Sequence, residues 1–280
     1  MNISAKTRLL GVIGHPIAHS LSPQMHNAAF SADDVDYAYV AMDVQPERLE
    51  EAIAGLPALG FVGFNVTMPH KENIIPLLDH LDEPARISGA VNTVVVRDTG
   101  LFGMNTDGSG FVEACAESGV EFAGKRVLLL GAGGAAAAIA VAVLGENVAG
   151  LTIANRTLGR AQGLGEKVAS IAGETKITAV TLDSAGEESV HADVVVNTTY
   201  LGMKADDRMP ISAEYLEPNK VVCDAVYRRG TVTELIRQAK QIGAPVVSGG
   251  RMLLYQGVQA QRVWTEREPN VEVMSSALTE

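Results

Sequence analysis

The stretch 127–136 limits the fold of this chain more than any other part of the sequence. It opens with four apolar residues that predict a buried strand, and it continues into an alanine-rich run that predicts a helix. Between them, Gly131, Gly133 and Ala136 have the spacing of a dinucleotide-binding fingerprint with alanine in its third position. Gly131 permits a tight turn, and Gly133 lets backbone N–H groups at the helix start approach a pyrophosphate. A glycine turn of this kind can also be purely structural, so the next strand provides the test.

That next strand, predicted at 151–154, ends at a corner that bears on the choice of cofactor. NAD-binding units usually carry an acidic residue here, which binds the ribose 2′-hydroxyl. This chain has none, and Arg156 and Arg160 face the corner instead. The helix dipole disfavours a cation at a helix start, which argues against two ordinary surface arginines and for a bound 2′-phosphate. The sequence therefore favours NADP over NAD.

Composition limits the class of protein and of partner. The 280 residues allow one large or two medium domains, and 47% apolar with 20% charged residues is enough for a full core. A net charge of −11 argues against nucleic acid or an anionic membrane as the main partner. Cys115 and Cys223 suggest neither a disulfide framework nor a metal site, and predict reduced thiols in a cytoplasmic protein. The N-terminal segment predicts no signal peptide, and the glycine-interrupted run 127–144 predicts core rather than a membrane span.

The first hundred residues predict a further set of alternating strands and helices. We expect strands at 9–14, 37–44 and 60–67, helices at 46–59 and 72–78, and a hairpin at 94–104. Ser22-Pro23 predicts a helix start, with serine as the cap and proline in the first helical position. Ser20 and Ser22 are therefore either a loop residue and a cap, or a hydroxyl pair at the mouth of a ligand site.

Polar side chains follow the third predicted strand. Thr67 and Lys71 lie just beyond its carboxyl end, which is the usual ligand side of an α/β sheet. Taken alone, a lysine such as Lys71 is more often a solvated surface charge than a site residue. His70 has no partner that the sequence identifies, so a surface or packing role is favoured over catalysis.

The two ends of the predicted hairpin carry similar polar groups. Asn92 and Thr93 precede its first strand, and 105–107, Asn-Thr-Asp, follow its second. They form either two turns with local backbone hydrogen bonds, or an amide at Asn92 and a carboxylate at Asp107 that converge on one ligand.

The second half of the chain predicts a doubly wound sheet. Short apolar strands are expected at 177–182, 192–197, 221–226 and 245–248, with helices at 231–242 and 251–265. The long polar loop after Asn197 suggests a cofactor-facing segment. Gln256, on the last helix, lies on the face opposite Leu254 and is a further candidate site residue.

Taken in order, these motifs resemble the shikimate dehydrogenase family over nearly the whole chain. The motifs are Ser20-Leu21-Ser22-Pro23, Asn65-Val66-Thr67-Met68-Pro69-His70-Lys71, Gly89-Ala90-Val91-Asn92-Thr93, Asn105-Thr106-Asp107-Gly108, the glycine turn, Asn155-Arg156-Thr157, Asn197-Thr198-Thr199 and Met252-Leu253 through Gln256-Gly257. The resemblance implies an α/β fold of two domains with a cleft between them. A substrate-binding catalytic domain would comprise 1–106 plus 252–280, and a Rossmann-type NADP-binding domain would comprise 107–251.

The resemblance also implies an activity and a set of site residues. The activity is the reversible, NADPH-dependent reduction of 3-dehydroshikimate to shikimate in aromatic amino-acid biosynthesis, with Lys71 and Asp107 as the catalytic pair. The implied substrate-binding residues are Ser20, Ser22, Thr67, Lys71, Asn92, Asp107, Tyr227 and Gln256. The implied cofactor-binding residues are Glu83, Gly131, Ala132, Gly133, Gly134, Ala135, Asn155, Arg156, Thr157, Arg160 and Gly250.

Two other functions stay open at this point. The first is a quinate/shikimate dehydrogenase that prefers NAD, although such relatives tend to carry an acid where Asn155-Arg156 stands. The second is a regulatory paralogue that binds a nucleotide without turnover, against which Lys71 and Asp107 argue. The expected partner is a small-molecule substrate, and both a monomer and a homodimer fit the sequence.

Overall fold

The computed structural model describes residues 3–204, 208–228 and 230–278, and the chain divides into two compact units. Unit 1 comprises Met1–Thr106 and Gln256–Glu280, and unit 2 comprises Asp107–Tyr255. The sequence assigns 252–255 to the substrate domain, whereas these residues belong to unit 2. The assignment of substrate and cofactor to separate domains stays a prediction.

Unit 1 is built on a mixed six-stranded sheet. Its elements up to residue 106 are β1 (Arg8–Gly14), α1 (Ser22–Ala32), β2 (Tyr37–Asp43), α2 (Leu49–Ala58), β3 (Phe61–Val66), β4 (His80–Leu81), α3 (Glu83–Ser88), β5 (Thr93–Arg97) and β6 (Gly100–Met104). The strand order is β2-β1-β3-β5-β6-β4. β1 pairs in parallel with β2 and β3, while β5 runs antiparallel to both β3 and β6. The carboxyl end of β3 and the start of β5 therefore lie at the same edge of this sheet.

The predicted serine cap of α1 is wrong. Leu21 occupies the N-cap position with helical dihedral angles and makes no side-chain cap hydrogen bond, so Ser22 is the first residue of the helix. Ser20 lies close to this helix start, and its Oγ accepts a hydrogen bond from the Ser22 amide at 3.3 Å. The hydroxyl that accepts from the first helical amide thus belongs to Ser20, two positions before the expected cap at Ser22.

The helix predicted at 72–78 is also wrong, because this stretch forms only a 3-10 turn at Ile75–Leu77. Pro76 has no amide hydrogen to donate, and its ring restricts the backbone of the residue before it. An α-helix through this stretch would therefore lack a backbone hydrogen bond near its centre. One helical turn precedes it, since the Ile74 amide donates to the His70 carbonyl at 3.0 Å.

Unit 2 is a parallel six-stranded sheet with helices in its crossovers. Its strands and helices, followed by the two helices that complete the chain, are α4 (Asp107–Glu117), β7 (Arg126–Leu130), α5 (Gly134–Gly145), β8 (Gly150–Asn155), α6 (Leu158–Val168), β9 (Lys176–Thr181), α7 (Ala185–Ser189), β10 (Val194–Asn197), β11 (Val221–Asp224), α8 (Glu234–Gln241), β12 (Val246–Val247), α9 (Gly249–Thr265) and α10 (Val271–Ala277). The order β12-β11-β10-β7-β8-β9 is that of a Rossmann sheet, with its topological switch point between β7 and β10. The predicted α/β class is confirmed.

The core of unit 2 explains why its strands appear as unbroken apolar runs. Val127 to Leu130 on β7 are buried, as expected for a strand that is covered on both faces. Helices α4 and α5 pack closely, since a Cβ added to Gly108 would lie 2.4 Å from the Ala138 carbonyl oxygen. This close approach requires glycine at position 108, next to the carboxylate of Asp107.

Within the described ranges, no helix combines the length and the apolar character needed to cross a bilayer.

Candidate active site

Unit 1 holds a buried polar network at the carboxyl end of β3 and around the hairpin ends. The Asn92 amide nitrogen donates to Thr106 Oγ1 at 2.9 Å and to Gln256 Oε1 at 3.3 Å. The Thr106 hydroxyl in turn donates to the Gln256 carbonyl at 3.1 Å. Two predicted substrate residues that are 164 positions apart in the sequence are therefore in direct contact.

The same network extends along β3 and β5. The Asn65 amide nitrogen donates to the Asn92 carbonyl at 3.0 Å and to Thr93 Oγ1 at 3.0 Å. The Tyr39 hydroxyl donates to Asn65 Oδ1 at 2.6 Å. Tyr39, Asn65, Thr93 and Thr106 were not among the predicted site residues, although they occupy the centre of this network. The one sequence signal for Tyr39 is the alternation of tyrosines in β2, which is also typical of ordinary core packing.

Ser22 is buried, whereas Ser20 is half-buried in the loop before α1. The Ser22 side chain lies beside the Tyr39 hydroxyl. Desolvation is the main influence on the Tyr39 hydroxyl, and it raises its pKa well above the ordinary value. Tyr39 is therefore a neutral hydrogen-bonding group at any working pH, and Ser22 adjoins the network through it.

A compact turn holds Thr67 and Lys71. The Thr67 amide donates to the Ile13 carbonyl at 2.9 Å, and the His70 amide donates back to the Thr67 carbonyl at 2.9 Å. The Lys71 carbonyl accepts from the Val91 amide at 2.8 Å, and its side chain is half-buried. The backbone of the predicted catalytic lysine is thus fixed on the same edge as the polar network.

His70 is fully buried, which excludes the predicted surface role and agrees with a packing role. Its ring Nε2 and the Val44 carbonyl oxygen are 2.7 Å apart, so this nitrogen is the protonated one. This bond ties the turn before Lys71 to the residue that follows β2.

In unit 2, the glycine turn closes on the switch point of the sheet. Gly131 has φ +115°, and a Cβ there would lie 2.4 Å from Thr198 Oγ1. The Thr198 hydroxyl donates to the Leu130 carbonyl at 2.7 Å, which joins the ends of β7 and β10. A Cβ added to Gly133, the N-cap of α5, would meet nothing within 4 Å. The turn is therefore tight at Gly131 and open at Gly133, as a pyrophosphate at the helix N-terminus requires.

The corner after β8 is exposed and basic. The Asn155 amide nitrogen donates to the Thr157 carbonyl at 2.9 Å, and Thr157 is the N-cap of α6. Arg156 and Arg160 are both exposed, and the first turn of α6 contains no acidic residue. These residues fit a 2′-phosphate, because Arg156 follows the strand directly and Arg160 lies in the first turn of α6, which carries no acidic residue.

The other predicted residues occupy separate places. Asp107 is buried in the first turn of α4 in unit 2, where the helix dipole stabilises negative charge. Tyr227 follows β11, and burial raises the pKa of its hydroxyl. Gly250 is the second residue of α9 and is half-buried. Glu83, in contrast, is an exposed residue of α3, paired with Arg86 at 3.4 Å. It belongs to unit 1, whereas the other predicted cofactor residues belong to unit 2.

Unit 2 contains a second buried network that the sequence did not indicate. Asp224, at the end of β11, accepts hydrogen bonds from the Asn197 amide nitrogen at 2.9 Å and from the Thr233 hydroxyl at 2.5 Å. Asn197 Oδ1 accepts from the Thr199 amide at 3.0 Å. Burial outweighs these hydrogen bonds and raises the pKa of Asp224 to about 6. This network fixes the start of the loop after β10, beside Thr198.

Comparison with known proteins follows the same division of the chain. Residues 12–94 match the family model of the shikimate dehydrogenase substrate binding domain, and residues 114–204 match that of shikimate / quinate 5-dehydrogenase. A shikimate dehydrogenase (NADP(+)) from Rubrobacter xylanophilus is 55% identical over 278 residues, which cover 99% of this chain and 97% of the relative.

Solved structures agree with this result. A crystal structure of shikimate dehydrogenase in complex with NADP+ has a TM-score of 0.92 at 41% identity, and the match covers 99% of this chain and 96% of that one. Shikimate 5-dehydrogenase from Thermus thermophilus, in complex with NADP(H) and shikimate, has a TM-score of 0.86 at 35% identity. That match covers 97% of this chain and 98% of the other. With its glycine turn, its basic corner and its Asn92–Gln256 contact, this chain belongs to the shikimate dehydrogenase family.

Proposed function

We propose that this chain is an NADP-dependent oxidoreductase that reversibly reduces 3-dehydroshikimate to shikimate, a step in the formation of chorismate and the aromatic amino acids. The observation that carries the proposal is the hydrogen bond between Asn92 and Gln256, which joins two distant family motifs in one buried polar network. The family membership of the whole chain supports the same reaction.

In this proposal, unit 2 binds NADP. Backbone amides of 131–135 hold the pyrophosphate at the start of α5, where Gly133 leaves open space. Asn155 and Thr157 line the ribose corner, and Arg156 and Arg160 bind the 2′-phosphate through charge-assisted hydrogen bonds. Gly250 and Glu83 are weaker candidates for further contacts. When bound, the reduced cofactor supplies the hydride for the ketone carbon.

Unit 1 supplies most of the groups that bind the substrate. Ser20, Ser22 and Thr67 offer hydroxyls, and Asn92 and Gln256 offer amides, which together suit a ligand with several hydroxyls and a carboxylate. Tyr227 contributes a phenol from unit 2. Asn92 is held by hydrogen bonds at both the nitrogen and the oxygen of its amide, so its side chain needs little reorganisation when substrate binds.

Lys71 and Asp107 are the proposed catalytic pair. The Lys71 ammonium donates a proton to the ketone oxygen as the carbonyl carbon gains a hydride, so that the carbonyl becomes a hydroxyl and the lysine becomes neutral. The same ammonium stabilises the negative charge that develops on that oxygen. Alignment of the reactants supplies a large share of the rate, on the order of 7–11 kcal/mol.

The proposed setting is the cytoplasm, because Cys115 and Cys223 are buried free thiols rather than a disulfide. All of the proposed binding residues come from one chain, so the activity is compatible with a monomer and with a homodimer.

The proposal is tested by following NADPH and NADH oxidation with 3-dehydroshikimate, and the reverse reaction with shikimate and quinate. We expect turnover with NADPH and shikimate to exceed turnover with NADH and with quinate. The variant Arg156→Ala should weaken NADP binding far more than NAD binding, because it removes a partner of the 2′-phosphate only. Equal weakening of both would contradict this role. A chain that binds NADP but gives no turnover would be a regulatory paralogue.

A further inference from the structure

Tyr39 occupies the beginning of the buried network in unit 1. It lies on β2 and is 2% exposed. Its hydroxyl donates to Asn65 Oδ1 at 2.6 Å and lies beside the Ser22 side chain. The phenolic oxygen thus lies between a proposed substrate-binding serine on α1 and the amide at the end of β3.

The position of this hydroxyl is fixed by contacts that no ligand provides. Asn27 donates from its amide nitrogen to the Tyr39 carbonyl at 2.8 Å and accepts from the Tyr39 amide at 2.8 Å. The Tyr39 ring stacks on His26, with ring centroids 4.5 Å apart and 21° between the planes. Both partners belong to α1, the helix that also carries Ser22. Tyr39 and Ser22 are therefore held in register before any substrate binds.

The Asn65 amide is held at both ends, by the Asn92 carbonyl at its nitrogen and by the Tyr39 hydroxyl at its oxygen. A carboxamide has an accepting oxygen at one end and a donating nitrogen at the other. The Asn65 nitrogen faces the hairpin and donates to the Asn92 carbonyl and to Thr93 Oγ1, each at 3.0 Å, while Oδ1 accepts from the Tyr39 hydroxyl. A reversed amide would place its oxygen against the Asn92 carbonyl and lose that hydrogen bond.

Thr93 passes this orientation to Asn92. Its oxygen accepts from Asn65, and its hydroxyl lies 3.1 Å from Asn92 Oδ1, which also accepts from the Thr106 amide at 2.7 Å. The Asn92 nitrogen then faces Thr106 and Gln256. The path of hydrogen bonds therefore runs from Tyr39 to Asn65, and from Asn65 to the Asn92 carbonyl directly and to the Asn92 side chain through Thr93.

We propose that Tyr39 is a positioning residue for substrate binding, which lies beside Ser22 and holds Asn92 through Asn65 and Thr93. The inference rests on the proposed function, because Ser22 and Asn92 bind the substrate in that proposal. Tyr39 itself touches no reacting group, so its effect belongs to the affinity for shikimate.

The test compares Tyr39→Phe with Tyr37→Phe. Tyr37 lies two residues earlier on the same strand and is 8% exposed, but its hydroxyl pairs with Arg8 Nη1 at 2.7 Å and with the Trp264 carbonyl at 3.5 Å, outside the network. In Tyr39→Phe, Asn65 Oδ1 loses its donor, and we expect the KM for shikimate to rise roughly tenfold. The KM for NADP+ should stay unchanged, and kcat should fall less than the KM rises. Tyr37→Phe should leave both KM values unchanged.

A second variant separates positioning from general loss of stability. Thr93→Val removes the hydroxyl that links Asn65 to Asn92 while keeping the side-chain shape. It should also raise the KM for shikimate, and the double variant with Tyr39→Phe should be no worse than the poorer single variant. If Tyr39→Phe fails to fold, the same expectation for Thr93→Val alone still tests the path. Strict additivity of the two changes overturns the relay.

The outcomes distinguish this inference from the proposed function. A wild-type chain that does not oxidise shikimate overturns both. An active wild type whose Tyr39→Phe variant behaves like Tyr37→Phe overturns the positioning role alone. Equal rises in the KM for shikimate and for NADP+ would also overturn it, since a disturbed fold would affect both ligands.

Discussion

Lys71 is held by its backbone, so its amine can be removed without disturbing the turn. Its carbonyl accepts from the Val91 amide at 2.8 Å, and the ring of His70 is anchored to the Val44 carbonyl at 2.7 Å. Both contacts survive in the variant Lys71→Ala. We expect kcat to fall by about two to four orders of magnitude, with the KM for shikimate little changed, because a proton donor acts in the transition state.

Steady-state kinetics and equilibrium binding of shikimate to Lys71→Ala check this expectation. Lys6→Ala, which removes an exposed lysine of the same unit, is the matched control and should keep full activity. Equal losses of binding and turnover would show that Lys71 is an anchor for the substrate rather than an acid.

At the scale of elements, the contact between α4 and α5 controls the position of Asp107. A Cβ at Gly108 would lie 2.4 Å from the Ala138 carbonyl oxygen and 2.9 Å from the Ala142 Cβ, so Gly108→Ala must displace one of the two helices. We expect a loss of about 1–3 kcal/mol in the free energy of unfolding, together with a lower kcat, because Asp107 precedes the displaced residue.

The control for this prediction is Gly163→Ala on α6, where an added Cβ meets nothing within 4 Å. That change should stabilise the protein by about 0.5–1 kcal/mol, since alanine has the higher helix propensity. Denaturant unfolding and kinetics of both variants measure the difference. Unchanged kinetics in Gly108→Ala would separate Asp107 from this helix contact.

The elements with regular spacing were predictable from the sequence, except where a single residue interrupts or shifts the local pattern. The glycine turn and the strand before it follow from local chemistry alone. The helix at 72–78 failed because Pro76 interrupts an otherwise suitable pattern, and the Ser22 cap failed because helical geometry begins at Leu21. Local rules placed the start of α1 within one residue, but they wrongly made the Ser22 hydroxyl its cap.

The candidate site was predictable to a similar extent. Asn92 and Gln256 came from family motifs, and the structure brings them into contact. Tyr39 escaped because its partner Asn65 lies 26 residues away on β3, and only the order β2-β1-β3 brings the two strands to opposite sides of β1. No spacing within β2 encodes that pairing, so the hydrogen bond between Tyr39 and Asn65 can be recognised only in the folded sheet.

At the scale of the whole molecule, acid lowers the folding stability of unit 1 through a buried histidine. Burial lowers the pKa of His26 from 6.5 to about 4, and its Nδ1 pairs with Gln261 Oε1 at 2.9 Å. Between these values the unfolded chain binds a proton that the folded chain does not. The stability from neutral His26 is therefore complete above pH 6.5 and is lost as the pH falls through 4, with a total of about 3 kcal/mol.

Fluorescence of Trp264, the single tryptophan of the chain, reports unfolding of unit 1 in urea. We expect the wild type to lose stability steadily from about pH 6.5 to about pH 4.5, and His26→Phe to show a shallower slope over the same interval. The comparison uses slopes, so a different absolute stability of the variant does not affect it. Parallel slopes would assign the acid sensitivity of unit 1 to other groups.

The side chain of Asn27 also has a protective consequence for the molecule as a whole. β2 is the outermost strand of its sheet, and such a border exposes backbone amides and carbonyls that a foreign strand could pair with. At Tyr39 both of these groups are already taken by Asn27. The Asn27 amide, which also anchors Tyr39, therefore prevents a foreign strand from pairing with this part of the edge strand.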